Sequence, residues 1–211
     1  MPTLGWVLLG AAAIAALVNW WAVDVGREPV EYVAKPATLT LLIGVALVLD
    51  PADGGARVWF VIALVLCLAG DVLLMLPSDR FVPGLAAFLA GHVAYVVGFV
   101  VRGVELWGVL LGLLVVALAL ALVARPIVDA VQREARELVT PVFAYILVIS
   151  VMVATGVGTT VGLAIFGALS FYASDALLAW NRFVRPLPAG RVLVMVSYHV
   201  AQAALVLSLA D

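Results

Sequence analysis

Uninterrupted apolar runs recur along this chain, each long enough to span roughly 30 Å of hydrocarbon. That recurrence fixes the class of fold before any single residue is considered. In lipid, backbone N–H and C=O groups must be satisfied without water, and a helix does this within its own segment. The runs cover about residues 4–23, 33–49, 57–76, 81–101, 104–124, 138–154, 157–180 and 190–210. They predict an all-α fold: a polytopic membrane bundle of eight transmembrane helices, forming a single transmembrane domain over residues 1–211. Only 11% of the residues are charged and 66% are hydrophobic, against about 25% charged in soluble domains. The first run lacks a basic leader and a small-residue exit, so it reads as a retained helix. The one cysteine, Cys67, provides no disulfide framework and no thiolate metal site, and is expected as a small core residue.

Turn signals separate the runs: "DVGREPVEY", "DPADGGAR", "PSDR", "VRGVE" and "NRFVRPLPAG". Ser78, Asp79 and Arg80 are expected in a solvated turn. The longest connection, "RPIVDAVQREARE", is amphipathic enough for a short interfacial helix. Loops one, three, five and seven hold Arg27, Arg80, Arg125, Arg133, Arg136, Arg182, Arg185 and Arg191, with Lys35 just inside the second span; the other side holds only Arg57 and Arg102. The positive-inside rule then puts the basic loops in the cytoplasm and both termini outside the cell membrane. A short repeat accompanies this topology. "AGDVLLML" with a following "RFV" echoes "ASDALLAW" with its own "RFV", and "AKPATL" echoes "VTPVFA". Four spans separate the copies, which suggests a parallel 4+4 internal repeat.

Two aspartates break the apolar pattern. Asp71 and Asp175 each lie five residues before the cytoplasmic end of a span, about 8 Å inside it at 1.5 Å per residue. A carboxylate at that depth costs several kcal/mol unless paired, hydrated or neutral. Lys35 enters from the same side, and Asp71 pairing with it as structural glue is one reading. His92 and Tyr95, at i and i+3, share a face midway through the fourth span. Tyr198 and Gln202 share a face of the eighth, with His199 beside them. Tyr145 is at similar depth, Asn19 lies near the inner end of the first span, and Asn181 is expected to cap the seventh. Pro36 and Pro141 fit the first turns of their helices, and Gly70 and Gly91 fit close helix contacts. Together these groups suggest one polar cavity open to the cytoplasmic leaflet.

Two carboxyl groups in one apolar site can divide labour, one protonated as general acid and one ionised as base. That suits an acid-labile C–O bond such as a vinyl ether, whose carbon protonation gives an oxocarbenium ion for water to capture, as in glycoside hydrolysis. Metal hydrolysis is less attractive, because the two histidines lie on different helices without metal-ligand spacing. The residues call for no cofactor. A proton-coupled transporter or lipid-binding protein would use paired intramembrane aspartates in the same way. An intramembrane aspartyl protease would need a GxGD element, and Leu68 stands where its first glycine would be. A purely structural membrane protein is the remaining reading.

"KPATL", "AGDVLLML", "RFVPGLAAFLAGHVAY", "GALSFYASDALLAWNRF" and "SYHVAQAALV" together resemble the YhhN, or lysoplasmalogenase, family of integral membrane hydrolases, in order and over most of the chain. The resemblance implies hydrolysis of the vinyl-ether bond of a lysoplasmalogen to a fatty aldehyde and a glycerophospho-ethanolamine or -choline. It also implies a lysophospholipid substrate among membrane lipids, with no nucleic-acid partner. Lys35, Asp71, His92, Tyr95, Ser174, Asp175, Asn181, Tyr198 and Gln202 match the family's polar positions. The expected roles are Asp71 and Asp175 as acid and base in undecided order. His92, Tyr95 and Tyr198 would orient water or the ether oxygen, and Ser174 and Gln202 would contact substrate. Lys35, Asn181 and the loops of Arg80 and Arg182 would lie near the headgroup.

Overall fold

The computed structural model describes every residue except Pro77 and Asp79. Asp79 of the expected solvated turn therefore lies outside the described residues, while Ser78 and Arg80 are exposed and joined by a hydrogen bond from Arg80 Nε to Ser78 Oγ at 3.2 Å. The chain forms eight long helices: α1 (Thr3–Asp24), α2 (Glu28–Val48), α3 (Gly54–Met75), α4 (Phe81–Arg102), α5 (Leu106–Glu134), α6 (Val139–Gly158), α7 (Gly162–Ala179) and α8 (Gly190–Leu207). All eight are long and apolar enough to cross a membrane, and the chain is an integral membrane protein. Among the described residues there is no strand.

Sequence neighbours pack as pairs: α1 with α2, α3 with α4, α5 with α6 and α7 with α8. The pairs are joined through α4–α6, α2–α3, α6–α7 and the contacts of α8 with α1 and α2. Outward faces stay apolar, as lipid requires. Leu106, Leu110, Leu114, Leu118 and Leu122 form such a stripe on α5. The interior is a continuous core that includes Leu39, Phe60, Leu64, Cys67, Tyr95, Phe99, Met152 and Phe171.

Two boundaries differ from the sequence reading, and both matter. Helix α2 begins at Glu28, not near residue 33. Pro29 occupies its first turn, where a fixed φ and a missing N–H are harmless, and the carboxylates of Glu28 and Glu31 suit the positive end of the helix. Pro36 consequently sits inside the helix instead of opening it, and Lys35 lies about two turns in. Helix α5 runs on to Glu134 through Pro126, so the expected separate interfacial helix is its last turns, followed by a 3-10 turn at Arg136–Leu138. An interior proline costs about 3 kcal/mol. Ile127 and Val131 are buried with Phe81, Val142 and Phe183 in a second small core, and roughly 1.5–3 kcal/mol for each such side chain offsets it.

Close approach depends on missing side chains at a few crossings. A Cβ on Gly91 would stand 2.9 Å from Cys67 Sγ, which keeps α4 against α3. A Cβ on Gly112 of α5 would meet the α6 backbone, 2.7 Å from the Cα of Ala154 and 3.0 Å from its carbonyl oxygen. Backbone cannot swing aside as a side chain can. Gly112→Leu is therefore expected to lower stability by about 1–3 kcal/mol, read as a reduced melting temperature in detergent. Gly10→Ala, where nothing lies within 4 Å, is expected to leave it unchanged.

Candidate active site

The deeper start of α2 carries Lys35 into the bundle, where its Nζ lies 3.0 Å from Asp71 Oδ1, with both side chains buried. The second oxygen of Asp71 accepts a hydrogen bond from the Tyr198 hydroxyl at 2.8 Å. One aspartate is thus held by α2, α3 and α8.

The other aspartate is held by three different helices. The Tyr145 hydroxyl of α6 donates to Asp175 Oδ2 of α7 at 2.6 Å. His92 Nε2 of α4 stands 2.8 Å from the Tyr145 oxygen and 3.2 Å from Asp175 Oδ2. His92 is completely buried and its Nδ1 has no partner among the described residues. With the Tyr145 hydroxyl donating to Asp175, an N–H on His92 Nε2 completes the triangle of the three groups. Both contacts of Asp175 are made to Oδ2, and its side chain keeps 14% of its surface exposed. Phe171 packs edge-on against both His92 and Tyr198, with ring centroids 4.7 and 5.3 Å away, and so joins the two clusters.

Both aspartates line one cleft of about 280 Å³, together with Lys35, Ser174, Asn181 and Tyr198. The cleft reaches the end of the bundle where α2 and α8 begin and α3 and α7 end, since Glu28, Arg191 and Met75 also line it. A second, apolar crevice of about 80 Å³ runs between α4, α5, α6 and α7, walled by residues such as Leu85, Leu120 and Ile146. Asp175, Leu74, Phe88 and Leu178 border both spaces. Asp175 is therefore the carboxyl group at the junction of a polar cleft and an apolar one.

The remaining residues singled out from the sequence fall in different places. Tyr95 and Gln202 are fully buried, bonded to each other at 2.5 Å, and do not line the cleft. Ser174 lines it, but its hydroxyl donates to the Val194 carbonyl at 3.0 Å and ties α7 to α8. Asn181 does not cap α7, which ends at Ala179; it lies in the π-helical turn Trp180–Val184. Its Oδ1 accepts from the Leu187 N–H at 2.9 Å, and its buried Nδ2 has no partner among the described residues. Arg182 lies over the Phe81 ring, 3.8 Å from its centroid, and borders the apolar crevice instead of the polar cleft. His199 accepts from Trp20 Nε1 at 3.0 Å and belongs to a separate cluster. Among the described residues, no three His, Cys, Asp or Glu side chains are grouped as metal ligands.

Sequence reasoning placed Tyr145 at the right depth without a role. It misses the pairing of Glu31 with Arg191, because the apolar run that marks α2 begins only at about residue 33, after Glu31. The spacing of Glu31 and Lys35, i and i+4, was the available signal.

A match to the YhhN family covers residues 30–209. The chain belongs to the YhhN family. Lysoplasmalogenase TMEM86B of Homo sapiens is 36% identical over 167 residues, covering 79% of this chain and 70% of that protein. The Sus scrofa protein of the same name is 33% identical over 76% of this chain and 67% of its own. A lysoplasmalogenase of Mycobacterium tuberculosis is 30% identical over 223 residues, 94% of this chain and 80% of that protein. No solved structure matches the chain.

Removing one partner of a buried ion pair strands the other charge, at a cost of about 3–5 kcal/mol. Lys35→Met is expected to lower stability in detergent by that order, and Lys35→Met combined with Asp71→Asn to recover most of it. A single variant as stable as the wild type would show that the pair does not hold these helices.

Proposed function

We propose that this YhhN-family protein hydrolyses the vinyl-ether bond of lysoplasmalogens. The observation that carries the reading is Asp175 at the junction of the two spaces, with Asp71 in the same cleft. The relatives named lysoplasmalogenase support the substrate class. The alkenyl chain lies in the apolar crevice, the glycerol and headgroup lie in the polar cleft, and the ether bond falls between them, beside Asp175.

The roles of the two carboxyl groups follow from their partners. Asp71 has an ammonium partner and is the anion of the site. Asp175 is held through Oδ2 by a phenol and an imidazole, which leaves Oδ1 without a partner among the described residues and makes Asp175 the acid of the reaction. Asp175 delivers its proton to the alkene carbon remote from the ether oxygen, which converts the C=C–O unit to an oxocarbenium ion. The Asp71 carboxylate stabilises that cation and takes a proton from the attacking water. The hemiacetal so formed collapses as protonated Asp71 gives its proton to the departing glycerol oxygen and the Asp175 carboxylate takes the hemiacetal hydroxyl proton, which returns both groups to their starting states. One water is consumed, and a fatty aldehyde and a glycerophospho-alcohol leave. Tyr145 and His92 orient Asp175, and Tyr198 orients Asp71.

The basic loops support an orientation with the cleft open to the cytoplasmic leaflet of the cell membrane and both termini outside. Glu28, Asn181 and Arg191, at the cleft mouth, lie on the side of those loops.

Purified protein is expected to release aldehyde from lysoplasmenyl-ethanolamine in detergent without any ion gradient. Asp71→Asn and Asp175→Asn are each expected to lower the rate about 100-fold or more, the usual scale for losing a general acid or base. Retention of most of the activity by both variants would overturn the two-carboxylate mechanism.

A further inference from the structure

The mouth of the cleft holds a charged pair that the hydrolytic chemistry does not use. Glu31 lies one helical turn before Lys35 on the same face of α2, about 6 Å nearer the open end. Its buried carboxylate accepts two hydrogen bonds from Arg191 Nη2 of α8, at 2.9 and 3.2 Å, while the Arg191 side chain is largely exposed. Both residues line the cleft. An ion pair with a largely exposed arginine is screened by solvent on that side, so a ligand that offers equivalent partners can open it. An anion alone would take Arg191 and strand the buried Glu31 carboxylate, which is unfavourable. A ligand bearing both signs avoids that cost by satisfying each half of the pair.

Two neighbours add to this. The buried Nδ2 of Asn181, a donor without an acceptor among the described residues, belongs to a residue that lines the same cleft. Tyr32 also lines it and is 38% exposed, which offers a ring face to an ammonium group.

We infer that Arg191, Glu31 and Asn181 form a headgroup subsite for a zwitterionic phosphate ester, with Arg191 and Asn181 on the phosphate and Glu31 on the ammonium. The inference rests on the lysoplasmalogen reading, and it names the part of the substrate that this reading leaves without a partner. It predicts that bound substrate replaces the Arg191–Glu31 contact with two ligand contacts. A pair that only clamps α2 to α8 would have no preference among headgroups.

The test uses the full chain in detergent and four alkenyl lysolipids of one chain length, carrying phosphoethanolamine, phosphocholine, phosphoglycerol or bare phosphate. The wild type is expected to use the two zwitterions with kcat/KM about tenfold or more above the two anions, the difference lying in KM. Glu31→Gln is expected to bring that ratio down to within about threefold. Equal use of zwitterionic and anionic substrates by the wild type, or an unchanged ratio in Glu31→Gln, would overturn the subsite while leaving the hydrolytic reading intact. Aldehyde from none of the four would overturn the hydrolytic reading itself, and the subsite with it. Should Glu31→Gln fail to fold, alkyl-ether analogues decide the matter as competitors of the wild type. Zwitterionic analogues are expected to inhibit at about tenfold lower concentration than anionic ones, and equal inhibition would overturn the proposal.

Discussion

The ion pair of Lys35 and Asp71 is the contact on which the arrangement of this bundle depends. An isolated carboxylate or ammonium within the hydrocarbon region is costly. Here each is the other's remedy at 3.0 Å, and Tyr198 supplies the remaining oxygen of Asp71 with a donor. Lipid-facing and core-facing leucines are equally apolar, so hydrophobicity does not fix the angular position of α2, α3 and α8. The three polar groups add the angular constraint that hydrophobicity lacks, alongside the Glu31–Arg191 contact of α2 with α8 and the glycine crossings of α3 with α4. A rotation of any one helix by a single residue, about 100°, would break the cluster and leave at least one charge unpaired in an apolar environment.

The second aspartate is supported differently, and the difference is chemically useful. Asp175 receives a phenol and an imidazole, and it keeps part of its side chain open to the cleft. One carboxyl group is therefore paired with an ammonium group and enclosed, while the other is positioned by a phenol and an imidazole and is reachable. The same contrast separates a charge-stabilising carboxylate from a proton donor in hydrolases with two carboxyl groups. The flanking spaces extend the contrast to the ligand. A polar cleft on one side and an apolar crevice on the other match the two ends of a single-chain lipid, and Asp175 stands where they meet.

Much of this was legible in the sequence. Eight apolar runs gave the spans, and the two aspartates at equal distance from their span ends gave a shared depth. Depth fixes height along the membrane normal but says nothing about which helix face meets which. The pairing of Tyr145 with Asp175, and of Tyr198 with Asp71, is a matter of azimuth that hydropathy does not encode. Tyr95 and Gln202 illustrate the same point: they lie at a plausible depth, yet they bond each other away from the cleft wall. Helix boundaries failed where charge or proline interrupts the apolar signal. Glu28, Pro29 and Glu31 hid the start of α2, and Arg125 with Pro126 hid the last turns of α5. In both places helix-compatible residues were read as loop because they are polar or lack an N–H.

Carbon protonation is the step that distinguishes this chemistry, and isotope incorporation reads it directly. Hydrolysis of lysoplasmenyl-ethanolamine would be run in deuterium oxide, with the aldehyde reduced in place to its alcohol before it can enolise. The mechanism predicts one deuterium per molecule on the carbon next to the former carbonyl, delivered through Asp175 from solvent. A product with no deuterium at that carbon would mean that the bond breaks without protonation of the alkene, and would contradict the two-carboxylate mechanism.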